Sequence, residues 1–383
     1  MADIERNAAE HHHNFYSNFS RQALLDGKKL LDRQKKTLEK GKYEAAVAAL
    51  QDLSRCLAGG QQVPNEAIIV ADENTIPVPK LKLGHNKAVR ELSSLLAVQH
   101  SPAAGRHVVA VKPVQTGDTL LVEEPFASVL YPDKLGTNCT TCFAKLRAVV
   151  PCPDCAGVGF CSTACRDLAL ASFHRVECRY ADLIQGLGCS ALAGLTLRVI
   201  SLHPLEYFKR LRHHLNADTT SVSPGHKLPY VALYNMVGLN EQRWTEDLFN
   251  RALMAVGLLK ILKAAGYFQH ESVPDVYTDD EIFIGSLLLH HLNVLQFNAH
   301  EIYEFCRGDR GRLKPCKNNL IGLGVYPRAS YFNHSCHPGT ARINIGNKLV
   351  VKALHPIQKG DDALLKKINW IIWRIDTVWE NLP

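Results

Sequence analysis

Eight residues between positions 139 and 178 carry the clearest chemistry in this sequence. They run Cys139-x2-Cys142, Cys152-x2-Cys155, Cys161-x3-Cys165 and His174-x3-Cys178. Such short pairs suit zinc, because two or three intervening residues form a tight turn that aims both ligand atoms at one point. His174 and Cys178 stand four residues apart and share a face if the segment is helical. Eight ligands are enough for two tetrahedral sites, one of four thiolates and one of three thiolates and an imidazole. The chain has twelve cysteines in all. Nothing in its first residues, MADIERNAAEHHHNFY, reads as an export signal, so the expected setting is a reducing one where thiols bind metal or stay free. Cys56, Cys189, Cys306 and Cys316 are scattered and read as small buried hydrophobes.

Around the ligands, Lys145, Arg147, Arg166 and Arg175 are set against Asp154, Asp167 and Glu177. Seven thiolates outweigh two Zn²⁺, so the module is a poor phosphate-binding surface and is expected to contact protein. Direct nucleic-acid binding and a membrane partner are not expected. A second polar cluster, Asn333-His334-Ser335-Cys336, has no acid–base spacing and reads only as a candidate polar site. The pairs His213-His214 and His290-His291 lie in helical stretches and read as structural.

The elements that must position these groups come from periodicity. Strands are expected at His107–Lys112 and Thr119–Leu130, then at Leu320–Tyr326, Thr340–Ile345 and Leu349–Leu354, the last two joined by the hairpin signal Gly346-Asn347. Helices are expected over Leu195–Leu215, Trp244–Phe268 and Asp279–Phe297. Residues 1–98 read as helical, with Leu24, Leu25 and Leu31 among basic residues. Strands, cysteine cluster, helices and strands in that order suggest an α+β fold whose sheet is assembled from distant segments. With 383 residues, 46% hydrophobic and a net charge of +7, the composition excludes wholesale disorder. The most apolar stretch, Ile284–Phe297, is interrupted by His290, His291 and Asn293, which excludes a membrane span there.

The cysteine pattern resembles the MYND zinc finger. That resemblance implies interleaved sites, with Cys139, Cys142, Cys161 and Cys165 on one zinc and Cys152, Cys155, His174 and Cys178 on the other. The segment GVYPRASYFNHSCHPGTARINIGNKLVVKALHPIQKGD, residues 324–361, resembles the core of SET-domain protein-lysine methyltransferases. Gly105-Arg106 and Gly117-Asp118 look like the start of such a domain. A finger and a helical insert between the two parts resemble the SMYD family, and the helical N-terminal extension and Leu295–Glu301 look most like its fourth member.

The resemblance implies a SET core split by the finger: a helical region at 1–98, a first SET part at 99–138, the finger at 139–178, a helical insert at 179–300, the SET core at 301–362 and a divergent tail at 363–383. It implies transfer of a methyl group from S-adenosylmethionine to histone or other protein lysines. Gly105, Arg106, Asn333 and His334 are the implied cofactor contacts, with Asn298 near the pocket. A Pro-rich peptide or a corepressor is the implied partner of the finger. No localisation signal decides between nucleus and cytoplasm, and both are expected.

The sequence departs from the family at His337-Pro338-Gly339, where D-P-N is more usual, and again after Asp361. In the family a tyrosine-bearing strand and a C-x-C-x2-C segment follow, whereas Asp361 is followed by DALLKKINWIIWRIDTVWENLP, without tyrosine or cysteine. Cys336 then lacks the zinc partners that the family gives it, and no catalytic residue is assigned. A packed amphipathic helix and an unrelated chain end both account for this tail. The alternative function is therefore a catalytically silent, finger-mediated interaction protein.

Overall fold

A computed structural model of the chain describes residues 78–102, 104–180, 184, 191–215, 228–268, 277–306 and 317–365. The architecture is α+β, with antiparallel strands from both ends of the chain and helices and a finger between them. Strands β1 (Leu96–Ser101) and β2 (Gly105–Ala110) form a hairpin in which Ser101 faces Gly105. Gly105 closes the turn at φ +61°, a conformation that a side chain disfavours.

The helical reading of residues 1–98 fails over 78–98, where the chain turns and enters β1. Asn86 gives the reason. Its Oδ1 accepts the N–H groups of Ala88 and Val89 while its Nδ2 donates to the Leu96 carbonyl at 2.6 Å, so a side chain competes with the helical ladder. Residues 1–77, with the basic stretch, lie outside the described residues. The expected strand Thr119–Leu130 is two strands, β3 (Thr119–Glu123) and β4 (Ala127–Leu130), because Pro125 cannot donate to a ladder.

The finger contributes the short strands β5 (Val150–Pro151) and β6 (Gly159–Phe160) and helices α1 (Thr163–Ala171) and α2 (His174–Glu177). The insert follows with α3 (Ala191–Ser201), α4 (Leu205–Leu215), α5 (Pro229–Tyr234), α6 (Thr245–Ala264) and α7 (Asp279–Asn298). Pro204 divides the single helix expected over Leu195–Leu215. Thr278 and Glu281 form a reciprocal capping box that starts α7. Leu195, Phe208, Tyr230, Leu258 and Leu288 share the helical core. His291 belongs to that core, 2.9 Å from the Tyr230 hydroxyl, which fits the structural reading of the histidine pair.

Strands β7 (Ala299–Cys306), β8 (Lys317–Val325), β9 (Thr340–Ile345) and β10 (Lys348–Ala353) complete two antiparallel sheets, ordered β3-β10-β9 and β4-β8-β7. Each sheet mixes strands that precede and follow the insert. Leu92, Leu120, Leu121, Tyr326, Phe332 and Val351 fill the core of this part.

A carboxylate stitches the two parts together. Glu123, 4% exposed, accepts the N–H groups of Arg328 at 2.8 Å and Ala329 at 2.7 Å, the turn that leads into Asn333-His334. Burial raises its carboxyl from the ordinary 4.5 to about 8, against the pull of those two donors, with Glu91 and Arg328 as the charged neighbours. With the folded value above the unfolded one, the group's contribution to stability is complete below about pH 4.5 and is withdrawn as pH climbs through about 8. Wild type is expected to lose thermal stability between about pH 4.5 and 8 relative to Glu123→Gln, whose amide does not titrate there. Parallel Tm curves for the two proteins would remove Glu123 as the titrating group.

Candidate functional site

The first ligand set is built on a knuckle. Cys139 N–H donates to the Ala144 carbonyl at 2.8 Å and Phe143 N–H to the Cys139 carbonyl at 2.9 Å, with Phe143 at φ +66°. Asn138 Nδ2 pins the turn through the Phe143 carbonyl at 3.0 Å. Opposite, the Ser162 hydroxyl caps α1 by accepting the Cys165 N–H at 3.2 Å, which fixes Cys161 and Cys165 at a helix start. The four sulfurs of Cys139, Cys142, Cys161 and Cys165 all lie within 4.8 Å of one another. Cys142 and Cys161 are 3.5 Å apart, and Cys161 and Cys165 3.6 Å. Sulfurs about 2.3 Å from a tetrahedral zinc stand about 3.8 Å from one another, so this set fits the ion. Thiol hydrogen bonds from Cys142 and Cys165 favour the Cys139 thiolate, and that thiolate in turn pushes Cys142 and Cys165 up.

Cys152, Cys155, His174 and Cys178 form the second group, again with one ligand atom each within 4.8 Å. The Cys152 sulfur accepts the Asp154 N–H at 3.4 Å. His174 and Cys178 sit one turn apart, the Cys178 N–H donating to the His174 carbonyl at 2.8 Å. The partition is the interleaved one that the resemblance implied.

The β9–β10 turn rests against the first knuckle. Asn347 N–H donates to the Cys142 carbonyl at 3.1 Å and Asn347 Nδ2 to the Thr141 carbonyl at 3.1 Å. At Gly346, φ +59°, a Cβ would stand 2.6 Å from the Cys142 carbonyl oxygen, so only glycine permits this approach.

The residues assigned by resemblance to the cofactor lie where both parts of the split core meet. Asn333 Nδ2 donates to the Ala104 carbonyl beside Gly105 at 3.0 Å. Leu365 N–H donates to the Asn333 carbonyl at 2.9 Å, and Ser335 N–H to the Leu365 carbonyl at 3.2 Å. Residues 361–365 thus thread between β2 and the Asn333-His334 turn, since Ala363 N–H also reaches the Val108 carbonyl at 2.9 Å. Arg106 Nη2 donates to the Asn235 carbonyl at 3.0 Å, and its guanidinium lies 5.5 Å from the centre of the Tyr331 ring. Asn298 ends α7 with Nδ2 on the carbonyls of Val294 at 2.7 Å and Val237 at 2.9 Å. His334 is exposed, and its Nε2 lies 3.5 Å from the Cys336 sulfur.

Among the described residues, Arg106 Nη1 is buried without a hydrogen-bond partner. A buried guanidinium nitrogen left unsatisfied is costly and suits an anionic ligand group. The carboxylate of S-adenosylmethionine is such a group, so the residues fit that cofactor.

Sequence reasoning missed the loop Asn235–Gln242, which receives the side chains of both Arg106 and Asn298. No motif marks it. The nearest signal is Arg243, whose guanidinium donates to the carbonyls of Gly238 and Asn293 and to Asp247 and Gln296, and so anchors the loop to α7.

Two zinc ions per chain are expected by native mass spectrometry, and Cys161→Ser is expected to release one while the second set keeps the other. A metal-free wild type, or loss of both ions together, would contradict two separate sites.

A MYND finger family model matches residues 139–178. Protein-lysine N-methyltransferase SMYD4 of Gallus gallus is 26% identical over 345 residues, covering 72% of this chain and 46% of that protein. A SET and MYND domain-containing protein of Dictyostelium discoideum is 21% identical over 298 residues, covering 72% of this chain and 75% of that protein. The chain spans a little under half the length of the SMYD4 relatives it matches. Among solved structures, the SET domain of LSMT bound to lysine and AdoHcy is 12% identical at a TM-score of 0.28, covering 84% of this chain and 54% of that one, too loose a superposition to carry an argument. The match to SET and MYND proteins extends far beyond the finger on both sides, so the chain is similar to that family over most of its length.

Proposed function

We propose that this chain forms a protein-lysine N-methyltransferase core that takes its methyl group from S-adenosylmethionine and gives it to lysines of histones or other proteins. The observation that carries the reading is the orphaned Arg106 Nη1, on a guanidinium held between the Asn235 carbonyl and the Tyr331 ring. Names of relatives support it: SMYD4 is a protein-lysine N-methyltransferase, and SMYD3 of Mus musculus, 22% identical over 271 residues, a histone-lysine N-methyltransferase.

When bound, the cofactor supplies a methyl group on a sulfonium centre, open to attack by a neutral amine. The chain's own residues then have distinct tasks. Arg106 Nη1 holds the carboxylate of the amino-acid end, and Asn333, with Nδ2 committed to Ala104, offers Oδ1 to the ammonium. The Tyr331 face beside the guanidinium keeps Arg106 in place. The Asn298–Val237 contact sets the lip of the pocket. A free lysine has a pKa of about 10.4, so the channel that admits it must withhold water and favour the neutral amine. Two zinc ions on the two ligand sets hold the finger, which recruits a Pro-rich peptide or a corepressor.

One observation favours a second reading, a silent SET core acting through its finger: residues 362–383 contain no tyrosine to align the amine. Calorimetric titration of S-adenosylmethionine into the zinc-loaded chain separates the two. Micromolar binding is expected, weakened at least tenfold in Arg106→Gln with an unchanged circular dichroism spectrum, followed by methyl transfer to lysine in a histone mixture. No binding by a folded, zinc-loaded chain would leave the interaction reading.

A further inference from the structure

Among the described residues, helix α6 has a second apolar face that nothing covers. Its inner face, with Ala255, Leu258, Leu259 and Leu262, is buried in the helical core. Its outer face carries Phe249 at 67% exposure, Leu253 at 62% and Val256 at 42%. These stand at i, i+4 and i+7, so they form a single stripe along the helix rather than scattered surface residues. Exposed Glu246 precedes the stripe and exposed Lys260 ends it. Half-buried Gly257 lies on the same stripe, and a Cβ there would meet nothing within 4 Å. Glycine is a poor helix former, and among the described residues no close approach requires it here.

The stripe is complementary to itself when reversed. Leu253 is its midpoint. If a second α6 is laid antiparallel with Leu253 on Leu253, Glu246 of one copy falls opposite Lys260 of the other, at both ends of the contact. The same register sets Phe249 against Gly257, a large side chain over a vacant position, and Val256 against Asn250. An isologous two-fold contact demands this kind of pairing, in which residue i meets j and j meets i. Charge and size agree on one register, and the helix rise of 1.5 Å per residue gives a seam of about 21 Å between Glu246 and Lys260.

We propose that the outer face of α6 is a homodimer surface, on which a second copy of this chain packs antiparallel through Phe249, Leu253 and Val256, with Glu246 and Lys260 setting the register. A seam of one helix per copy is short of a large obligate interface, so the dimer forms at micromolar rather than nanomolar concentration.

Sedimentation velocity on the full zinc-loaded chain, from about 1 to 100 μM, tests this. A monomer–dimer equilibrium is expected. Leu253→Asp, which places two like charges at the centre of the seam, is expected to leave only monomer over that range, with circular dichroism and zinc content unchanged because Leu253 lies outside the core. Glu246→Lys is expected to weaken the dimer about tenfold by opposing lysines at both ends, and Glu246→Lys with Lys260→Glu to restore it. A wild type that stays monomeric throughout would overturn the proposal, as would a dimer indifferent to Leu253→Asp. Failure of the double reversal to restore association would overturn the register. Binding of S-adenosylmethionine is a separate readout, and its presence or absence leaves this test unaffected.

Discussion

Strand β8 is the constraint from which the rest of this fold follows. On one edge it pairs with β4, which precedes the finger and the helices, and on the other with β7, which follows them; Val325 faces both Ala127 and Ala299. The chain therefore leaves the sheet after Leu130 and must return beside its point of departure. The close contact depends on Gly322, where a Cβ would stand 2.2 Å from the Val129 carbonyl oxygen. Any side chain there would force β4 away and open the seam on which the insertion depends. Non-local pairing of this kind is reached only after a large loop-closure cost, so the inserted modules have to be compact in their own right. The finger and the helical core meet that demand by different means: metal-ligand sets in one, apolar burial in the other.

Attachment of the insert to the sheet is electrostatic as well as apolar. Arg198 on α3 makes a two-pronged contact with Glu177, both bonds at 2.6 Å, and donates to the Ser128 carbonyl on β4 at 2.9 Å, with its guanidinium 3.5 Å from the centre of the Phe173 ring. Glu177 stands just before the ligand Cys178, so one side chain ties the end of the finger to helix and strand at once. A buried pair of this kind adds little net stability over an apolar substitute, but losing one partner is costly because the other is left as an unpaired buried charge. The contact thus works as a register device between three elements. Asn347 does the same on the other side of the finger with two neutral hydrogen bonds to the first knuckle.

Much of this was legible beforehand, for a physical reason. Metal ligands must be specific residue types at short spacing, so Cys139 to Cys178 announce themselves, and the partition into two groups follows the pattern that the resemblance implied. An amphipathic helix such as α4 and the hairpin at Gly346-Asn347 are local and leave periodic marks. The pairing of β3 with β10 and the two hydrogen bonds to Glu123 leave none, because a glutamate in a β-rich segment looks alike whether it faces solvent or clamps a turn 205 residues away. Residues 78–98 misled because the helical reading is extended to them from the periodicity further upstream, which says nothing about Asn86 capturing the backbone. The loop Asn235–Gln242 was invisible for the opposite reason: its contribution to the candidate pocket is made by carbonyl groups, which every residue has.

That last point bears on how the candidate pocket gets its geometry. Arg106 comes from the first part of the core, Asn333 from the second, and Asn298 and the loop carbonyls from the insert between them. On the function proposed above, the site would draw on all three segments and would form only once the split core has closed around β8. Arg106 Nη1 is then carried into a buried position by packing that satisfies Nη2 and leaves Nη1 unmet. The desolvation cost of that atom is borne by the fold and recovered when an anion arrives, which ties ligand affinity to the closure of the core. An anion that binds only the docked arrangement of the three segments stabilises that arrangement by mass action.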